Sequence, residues 1–307
     1  MANLLAIRYS LLATHYSLFA PNKDDHMKLA SYLANGKPSF GVVVGDGVAT
    51  MNDKLGGRFA SLRDAIVGGA IDEMRRLSHV AKADLPLKGL HYLPTITNPE
   101  KIMCVGINYK SHAAEHGTEA PKLPNIFLRF VNTLVPHGGD MIRPKVSTNF
   151  DFEGELALVI GKPGRHIKAA SALDHIAGYT CFCDATVRDF TKYSLASAKN
   201  FIGSGPLGPW MVTSDEIPDP TKLTLVTRLN GQEMQRSGTD MLIHTIPTII
   251  EFCSMFTPLT PGDIIATGTP DGIGAKRNPP VWMKAGDVLE VEVSGIGTLR
   301  NTIADEK

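Results

Sequence analysis

Three acidic residues of one short stretch, Asp151, Glu153 and Glu155, have the types and the spacing for chemistry. If residues 150–161 form a β-strand, these carboxylates share one face, because successive side chains point to opposite sides. The other face carries Phe150, Phe152, Leu156, Leu158 and Ile160. Neighbouring carboxylates repel each other, so such a face needs water or a cation. A hard divalent cation prefers carboxylate oxygen. The alternative is a solvated face of an antiparallel sheet, in which the acids do no chemistry.

A second apolar segment also leads to an acid, since Asp184 directly follows residues that read as a strand. Together with Glu153 and Glu155, it gives three carboxylates at strand ends. An oxygen-only set of this kind suits Mg²⁺, with Mn²⁺ or Ca²⁺ as alternatives. Three acids around one divalent cation leave one negative charge, which Arg188 and Lys199 would counter. Those two cations would also attract a small anionic substrate, and a 2-oxo acid that chelates through its carboxylate and keto oxygens fits such a metal.

A candidate general base lies on a short helix predicted after a buried strand. Asn108 or Ser111 can cap this helix and Gly117 can end it. His112 and Glu115 are three residues apart and share a face, so the carboxylate can orient the imidazole and support it as a base. The alternative is a surface pair without function. The glycine before the helix and the loop after it are typical of a lid over a site.

The elements that must position these groups are mostly strands. Residues 27–98 are predicted to form a small N-terminal domain and linker, with short strands and one helix at 61–80. Residues 99–307 are rich in strands and contain an Asn230-Gly231 hairpin turn. This pattern predicts an α+β, predominantly β fold, a mixed β-sandwich or roll, and disfavours a doubly wound parallel sheet.

Composition excludes several classes of partner. The 307 residues carry 31 basic and 31 acidic side chains, so the formal net charge is zero and predicts neither nucleic-acid binding nor attachment to an anionic membrane. No apolar run is long enough to span a bilayer. The four cysteines are predicted to be reduced core thiols of a cytoplasmic protein. The alternative, a soft metal pair at Cys181 and Cys183, lacks the paired spacing of a zinc site.

Residues 1–26 differ in character from the rest, with one Arg and a near-repeat, YSLLATHYSLFA. They lack the basic start and the cleavage site of a secretory signal. We interpret them as an upstream extension that is disordered or not native, with Met27 as the natural start of the protein.

Seven motifs match one known family in its own order: VGINYKSHAAEHG, FDFEGELALVIGK, AGYTCFCDATVRD, AKNF, NGQEMQ, PGDIIATGTPDGIG and GDVLEVEVSGIGTLRN. Through them the chain from Lys101 to Thr302 resembles the fumarylacetoacetate hydrolase superfamily, in its bacterial acylpyruvate hydrolase and 2-hydroxyhepta-2,4-diene-1,7-dioate isomerase-like branch. The resemblance implies a β-roll or mixed β-sandwich and a homodimer. Members act on acylpyruvates, fumarylacetoacetate-like diketo acids, oxaloacetate and ring-cleavage products, by C–C hydrolysis, decarboxylation, isomerisation or hydration.

The resemblance also implies roles for single residues. Three acids fall on the family's Mg²⁺ or Mn²⁺ ligands: Glu153, Glu155 and Asp184. Five residues fall on its catalytic and substrate-binding positions: His112, Glu115, Lys199, Arg188 and Thr269. Two positions depart from the family pattern, because Thr191 stands where many relatives carry Gln and Arg129 where many carry Lys. A Thr hydroxyl is shorter than a Gln amide, so these departures bear on specificity or activity and not on metal binding.

The leading functional hypothesis is a divalent-metal-dependent hydrolase that cleaves a C–C bond in a 2,4-dioxo acid such as an acylpyruvate or fumarylpyruvate. His112 with Glu115 would activate water, and the metal with Lys199 would stabilise the enolate. One alternative is a decarboxylase or isomerase of a related 2-oxo acid, either oxaloacetate or an intermediate of the homoprotocatechuate pathway. Another is a weakly active homologue that binds metal and oxo acid. Asp151 has no assigned role and is expected at the rim of the site.

Overall fold

A computed structural model describes residues 26–307. The interpretation of residues 1–26 as an extension falls outside this range, apart from His26. In chain order, the strands are β1 (Lys28–Ala34), β2 (Lys37–Val44), β3 (Gly47–Thr50), β4 (Leu85–Pro86), β5 (Ile102–Gly106), β6 (Asn125–Arg129), β7 (Leu134–Val135), β8 (Asp140–Arg143), β9 (Phe150–Asp151), β10 (Gly154–Ile160), β11 (Ile176–Cys183), β12 (Thr186–Val187), β13 (Gly205–Thr213), β14 (Thr224–Leu229), β15 (Gln232–Gly238), β16 (Ile264–Ala266), β17 (Val288–Val293) and β18 (Gly297–Asp305). The α-helices are α1 (Leu62–Val67), α2 (Ile71–Ser78), α3 (Lys110–His116), α4 (Leu195–Lys199) and α5 (Ile246–Phe256).

Two large mixed sheets form the body of the protein. Eleven strands build the first, in the spatial order β4-β3-β2-β1-β13-β11-β10-β16-β5-β6, with β7 paired to β13. Five strands build the second, in the order β15-β14-β17-β18-β8, and β9 pairs with β12 alone. Most neighbours are antiparallel, and β5 with β16, β7 with β13 and β8 with β18 are parallel. The predicted fold class, predominantly β with mixed sheets, is confirmed.

Strand β10 lies in the middle of the first sheet and is buried on both faces. Leu156, Leu158 and Ile160 pack into the core between the two sheets, whereas Ala157 and Val159 pack into a second core on the other face. That second core also contains the apolar residues of α1 and α2. Because protein covers both faces of this strand, the alternative of a solvated acidic face is excluded. The predicted strand at 150–161 is divided, since β9 and β10 belong to different sheets.

The N-terminal strands continue the first sheet. β1 runs antiparallel to β13, with Lys28 opposite Val212 and Leu29 opposite Met211. The domain boundary near residue 98 stays a prediction, although one sheet extends across it. The homodimer also stays a prediction. The opposite edge of this sheet is β6, on which Leu128 is exposed.

The helix predicted at 61–80 is wrong as a single element. α1 and α2 are separated by Gly68 and Gly69, and Gly69 adopts φ +68°, a left-handed conformation that interrupts a helix. Ser61 does cap the first of them, because its hydroxyl accepts a hydrogen bond from the Asp64 N–H at 3.1 Å. None of the described helices is long and apolar enough to cross a bilayer.

Helix α3 begins between the two predicted caps, Asn108 and Ser111. Its N-cap is Tyr109, which makes no capping hydrogen bond with its side chain, and Gly117 ends the helix at φ +69° as predicted. Asn108 is instead buried, and its side-chain amide donates to the carbonyls of His244 at 3.0 Å and Thr267 at 2.8 Å. The start of α3 is therefore joined to the loop after β16 through the residue that precedes the cap.

The Asn230-Gly231 hairpin is confirmed, and both turn residues have positive φ, as the β14–β15 turn requires. All four cysteines are free and buried, which agrees with the prediction of reduced core thiols.

Candidate metal centre

Two neighbouring strands bring three acids together. Glu155 lies on β10 and Glu153 just before it, while Asp184 directly follows β11. The two strands are antiparallel with Gly154 opposite Cys183, so Glu153 and Asp184 become neighbours, and the Asp184 N–H donates to the Glu153 carbonyl at 2.8 Å. One carboxylate oxygen from each acid lies within 4.8 Å of the other two, and all three residues are buried. The structure thus gathers the predicted metal ligands around one point.

Lys199, at the end of α4, is buried against two of these acids. Its Nζ donates to Glu153 Oε2 and to Asp184 Oδ2, both at 2.6 Å. Arg129 Nη1 donates to the other oxygen of Asp184, Oδ1, also at 2.6 Å, and Arg129 Nη2 donates to Ser204 Oγ at 2.6 Å. Both cations are therefore fixed counter-charges of the acids. Sequence reasoning noted Arg129 only as a departure and did not foresee this ion pair.

Arg188 connects Glu153 to Asp151. Its Nε donates to Asp151 Oδ2 at 2.7 Å, and its Nη2 donates to Glu153 Oε1. The expectation that Asp151 lies at the rim is wrong, because Asp151 is fully buried and accepts hydrogen bonds from the N–H groups of Gly274 at 2.7 Å and Ala275 at 3.1 Å. Asp151 is not among the clustered acids. It fixes the loop after β16 beside the site.

Glu153 and Glu155 are two residues apart but experience opposite fields. Burial opposes ionisation of Glu153, yet Lys199 and Arg188 outweigh it and hold the pKa of Glu153 below its usual range. Burial, and after it the Asp184 carboxylate, raise the pKa of Glu155 well above its usual range. Glu155 is therefore the acid whose charge is least compensated by the protein.

These charges fit a divalent cation. Glu155 Oε2 accepts a hydrogen bond from the Gly268 N–H at 2.8 Å, and no lysine or arginine between residues 26 and 307 forms an ion pair with it. Four buried carboxylates face three cations, and 4 − 3 leaves one negative charge. The carboxylates are Asp151, Glu153, Glu155 and Asp184, and the cations are Arg129, Arg188 and Lys199. A divalent ion with oxygen ligands would compensate Glu155 and give the site a net positive charge, which suits an anionic ligand.

The predicted base lines the same cavity as the acids, and the volume of that cavity is about 410 Å³. On α3, His112 Nδ1 lies 3.0 Å from Glu115 Oε2. Glu115 Oε1 accepts a hydrogen bond from the Gly272 N–H at 2.8 Å, which attaches α3 to the loop after β16. Among the described residues, the His112 Nε2 atom has no hydrogen-bond partner. Nε2 is therefore the ring atom available for proton exchange with a bound molecule.

Thr269, predicted to contact substrate, lines the cavity together with Arg188 and Lys199. Its hydroxyl donates to the Gly154 carbonyl at 2.8 Å and accepts from Gln235 Nε2 at 2.8 Å. Gln235 Oε1 in turn accepts from the Gly154 N–H at 3.0 Å. Gln235 thus fixes the start of β10 between the acids, and sequence reasoning gave it no role although it lies in the NGQEMQ motif. Contact of Thr269 with substrate stays a prediction.

Other residues that line the cavity include His116, Thr191 and Lys276. The His116 ring packs edge-on against His112, with the ring centroids 4.5 Å apart. Its position one helical turn after His112 was a signal that could have identified it. The Thr191 hydroxyl donates to the Arg188 carbonyl at 2.8 Å, so it stabilises the turn that carries Arg188.

Comparison with known proteins agrees with this geometry. The family model described as fumarylacetoacetate (FAA) hydrolase C-terminal matches residues 101–304. The mitochondrial oxaloacetate tautomerase fahd2 of Xenopus laevis is 40% identical over 223 residues, which are 71% of this chain and 70% of that protein. The mitochondrial oxaloacetate tautomerase FAHD2A of Homo sapiens is 34% identical over 299 residues, which are 93% of each chain.

Solved structures show the same fold. The fumarylacetoacetate hydrolase of Exiguobacterium antarcticum matches with a TM-score of 0.77 and 30% identity over 91% of this chain and 100% of that one. The maleylpyruvate hydrolase of Sphingobium sp. SYK-6, in complex with manganese(II) and pyruvate, matches with a TM-score of 0.77 and 27% identity over 92% of this chain and 100% of that one. With its family motifs in order and its acids gathered at one cavity, the chain belongs to the fumarylacetoacetate hydrolase family.

Proposed function

We propose that this protein is a divalent-metal-dependent tautomerase that interconverts the enol and keto forms of a small 2-oxo acid, with oxaloacetate as the first candidate. The observation that carries the proposal is that His112, which is paired with Glu115, lines the same cavity as the acids Glu153, Glu155 and Asp184. Enolisation requires a stabilised oxygen anion and a base for the neighbouring carbon, and these two groups offer both. The curated relatives named above are oxaloacetate tautomerases, which supports this reaction.

The acidic cluster supports the oxygen side of the reaction. Mg²⁺ or Mn²⁺, when bound by Glu153, Glu155 and Asp184, supplies a Lewis acid that stabilises negative charge on the substrate oxygens. Lys199 and Arg188 hold the acids in place and in their ionised form. Because Lys199 is shared between two carboxylates, its main contribution is to position them, and its positive charge also favours an anionic substrate in the cavity.

His112 supports the carbon side of the reaction. In the keto-to-enol direction its Nε2 takes a proton from the carbon next to the keto group and passes it to the enolate oxygen, and in the reverse direction the proton moves through Nε2 from that oxygen back to the carbon. Glu115 orients the ring through Nδ1 and stabilises the imidazolium that forms in between. His112 is only 4% exposed, so bulk water has little access to the ring while a substrate is bound.

A second candidate is hydrolysis of a C–C bond in a 2,4-dioxo acid. The fold similarity to maleylpyruvate hydrolase favours it. In this reaction His112 activates a water molecule instead of taking a proton from carbon, and the same acids support the enolate that leaves. Decarboxylation of oxaloacetate passes through an enolate as well, so all three reactions use the same positioned groups and differ in the bond that breaks.

One set of assays separates these reactions. Enol oxaloacetate and purified protein with Mg²⁺ or Mn²⁺ are mixed, and loss of the enol ultraviolet absorbance is followed. Pyruvate is measured in parallel by coupling to lactate dehydrogenase, both with oxaloacetate and with acetylpyruvate. The proposal expects accelerated loss of enol without pyruvate release from either compound. Pyruvate from acetylpyruvate would instead establish the hydrolase, and pyruvate from oxaloacetate the decarboxylase.

The control for these assays is the His112→Asn variant with the same metal. It is expected to lose acceleration while it still binds Mn²⁺ in calorimetry. If the wild-type protein binds Mn²⁺ but accelerates none of the three reactions, the proposals of a tautomerase, a hydrolase and a decarboxylase are all wrong. The remaining hypothesis is then a weakly active homologue that binds metal and oxo acid.

A further inference from the structure

Two basic side chains of the cavity have no part in the chemistry proposed above. Lys276 and His116 line the same cavity as the acidic cluster, yet neither contacts the acids Glu153, Glu155 or Asp184. The other cations of the cavity are already paired with carboxylates. An additional positive group in a small cavity is a feature that an anionic part of a ligand can use.

Lys276 carries an uncompensated charge. Within residues 26–307, no acidic side chain forms an ion pair with its Nζ, whereas the cavity cations Arg188 and Lys199 each bind two carboxylates. Lys276 is exposed and lines the cavity, so a ligand that enters can reach its ammonium group. A ligand carboxylate that enters the cavity therefore meets a lysine that does not have to leave another partner.

The loop that presents Lys276 is fixed in place. Asp151 accepts hydrogen bonds from the N–H groups of Gly274 and Ala275, the two residues immediately before it. Earlier in the same loop, the Gly272 N–H donates a hydrogen bond to the Glu115 carboxylate on α3 at 2.8 Å. The backbone position of Lys276 is thus determined by the same acids that hold Arg188 and His112. A preorganised loop loses less entropy on ligand binding than a free one.

His116 lines the same cavity as this lysine and lies on α3. Burial lowers the pKa of His116 to about 4, and the nearby His112, Lys276 and Arg188 act in the same direction. Its imidazole is therefore neutral at neutral pH and offers a hydrogen-bond donor and not a charge. Both side chains line the same cavity, so one ligand in it can contact both of them.

We propose that Lys276 and His116 bind the far carboxylate of a dicarboxylic 2-oxo acid, so that the cavity selects dicarboxylates over monocarboxylates of equal length. The inference rests on the proposed function for the identity of the substrate class. With a divalent ion, the four buried carboxylates and the three cations paired with them would carry one net positive charge, which matches the carboxylate next to the keto group. The second carboxylate of a four-carbon dianion then needs a separate cation. Among the described residues that line the cavity, Lys276 is the lysine or arginine without an ion-pair partner.

The test compares two inert ligands that differ only in the far carboxylate, L-malate and 2-hydroxybutyrate. Isothermal titration calorimetry with the Mn²⁺-loaded protein measures both affinities. Wild-type protein should bind malate more tightly. Lys276→Met should weaken malate binding about tenfold, as expected for loss of a charge-assisted hydrogen bond, and leave 2-hydroxybutyrate binding unchanged. His116→Phe, which keeps the ring packed on His112, should weaken malate binding about threefold, as for a neutral donor.

Lys284→Met is the matched control, because Lys284 is also exposed but lies outside the cavity lining. It removes the same charge and should change neither affinity. Equal affinity of the wild-type protein for both ligands, or an equal loss for both in Lys276→Met, would overturn the subsite. If malate is preferred through Lys276 but no enol oxaloacetate is turned over, the subsite stands and the proposed reaction fails, so the two failures are distinguishable.

Discussion

The cavity has two walls that are built differently. We call Glu153, Glu155 and Asp184, at the ends of β10 and β11, the sheet wall, and His112 and Glu115 on α3 the helix wall. Every residue of β10 and β11 is buried, whereas only two of the seven residues of α3 are. Groups that must keep a fixed geometry thus lie on the most deeply packed strands. The proton-transfer group lies on an element with few contacts.

This difference has a physical basis in local stability. The sheet wall can move only if the two hydrophobic cores, one on each face of β10, are disturbed. A helix of seven residues is marginal without tertiary contacts, and α3 has no side-chain cap at its start. Its attachments to the loop after β16 are the hydrogen bond from Asn108, just before the helix, to the Thr267 carbonyl and the hydrogen bond from the Gly272 N–H to Glu115. We therefore expect α3 to open for substrate while the sheet wall stays closed.

Removing the metal from the sheet wall should have the largest effect. Glu155→Gln removes the carboxylate that no described cation pairs with, so the fold is retained while one candidate ligand is lost. Mn²⁺ should bind at least about 100-fold more weakly, since even groups behind metal ligands contribute up to that much. Activity should fall to background. Calorimetry with Mn²⁺ measures the affinity, and an unchanged value would remove Glu155 from the metal centre.

A change confined to the helix wall should lower the catalytic rate but leave the metal affinity unchanged. His112→Asn removes the proton-transfer group and keeps a polar side chain next to Glu115. The catalytic rate should fall about 1,000-fold, within the range known for general acid–base groups. Mn²⁺ affinity and the thermal midpoint should match those of the wild-type protein. A variant that retains its rate would show that the helix wall does not supply the base.

The two glutamates of the sheet wall should differ in their effect on stability. In metal-free protein, Glu153→Gln removes one of the two buried carboxylates that each of Lys199 and Arg188 binds, and should lower the free energy of unfolding by about 3 kcal/mol. Glu155→Gln removes a buried charge that burial and Asp184 disfavour, so it should raise the free energy of unfolding. Urea denaturation in the presence of EDTA compares the two variants. Equal losses would contradict the opposite fields assigned to these residues.

The smallest effect should come from the end of α3. Gly117 ends the helix at φ +69°, and a Cβ there would meet no other atom, so Gly117→Ala tests backbone strain alone. The cost should be about 1 kcal/mol, confined to this helix. Hydrogen–deuterium exchange of the α3 amides should become about fivefold faster, whereas exchange in β10 should not change. Faster exchange in both elements would show that the two walls open as one unit.

Local patterns were sufficient to predict much of the fold. The apolar runs of β10 and β11 and the Asn230-Gly231 hairpin depend on neighbouring residues only, so the sequence alone predicts them. The helix at 61–80 failed because its apolar spacing continues on both sides of Gly68 and Gly69, and spacing alone does not show that a left-handed glycine divides it. The pairing of β1 with β13, which makes the N-terminal strands part of the first sheet, joins residues far apart in the chain, and no local pattern indicates it.

The site shows the same limit. Alternation predicted that Glu153 and Glu155 point together, and chain order suggested Asp184. Alternation also placed Asp151 on that face. In the structure, however, β9 is not part of the sheet that contains β10. It pairs with β12, and Asp151 lies opposite Thr186. Alternation cannot reveal such a break, nor the depth at which a residue is buried. Arg188 and Lys199 were predicted as counter-charges, whereas the ion pair of Arg129 with Asp184 and the loop that Asp151 holds join distant segments and needed the folded structure.

The hydrogen bond between Asp151 and Gly274 joins residues 123 positions apart. This separation has a consequence for folding during synthesis. A growing chain that has not yet reached Gly274 contains all the acids of the cavity but lacks the backbone N–H groups that satisfy Asp151. Contacts over such long intervals form slowly, because a large loop must close before they stabilise anything. Catalytic competence should therefore arise late in folding, together with docking of the loop after β16, and partly synthesised chains should be inactive.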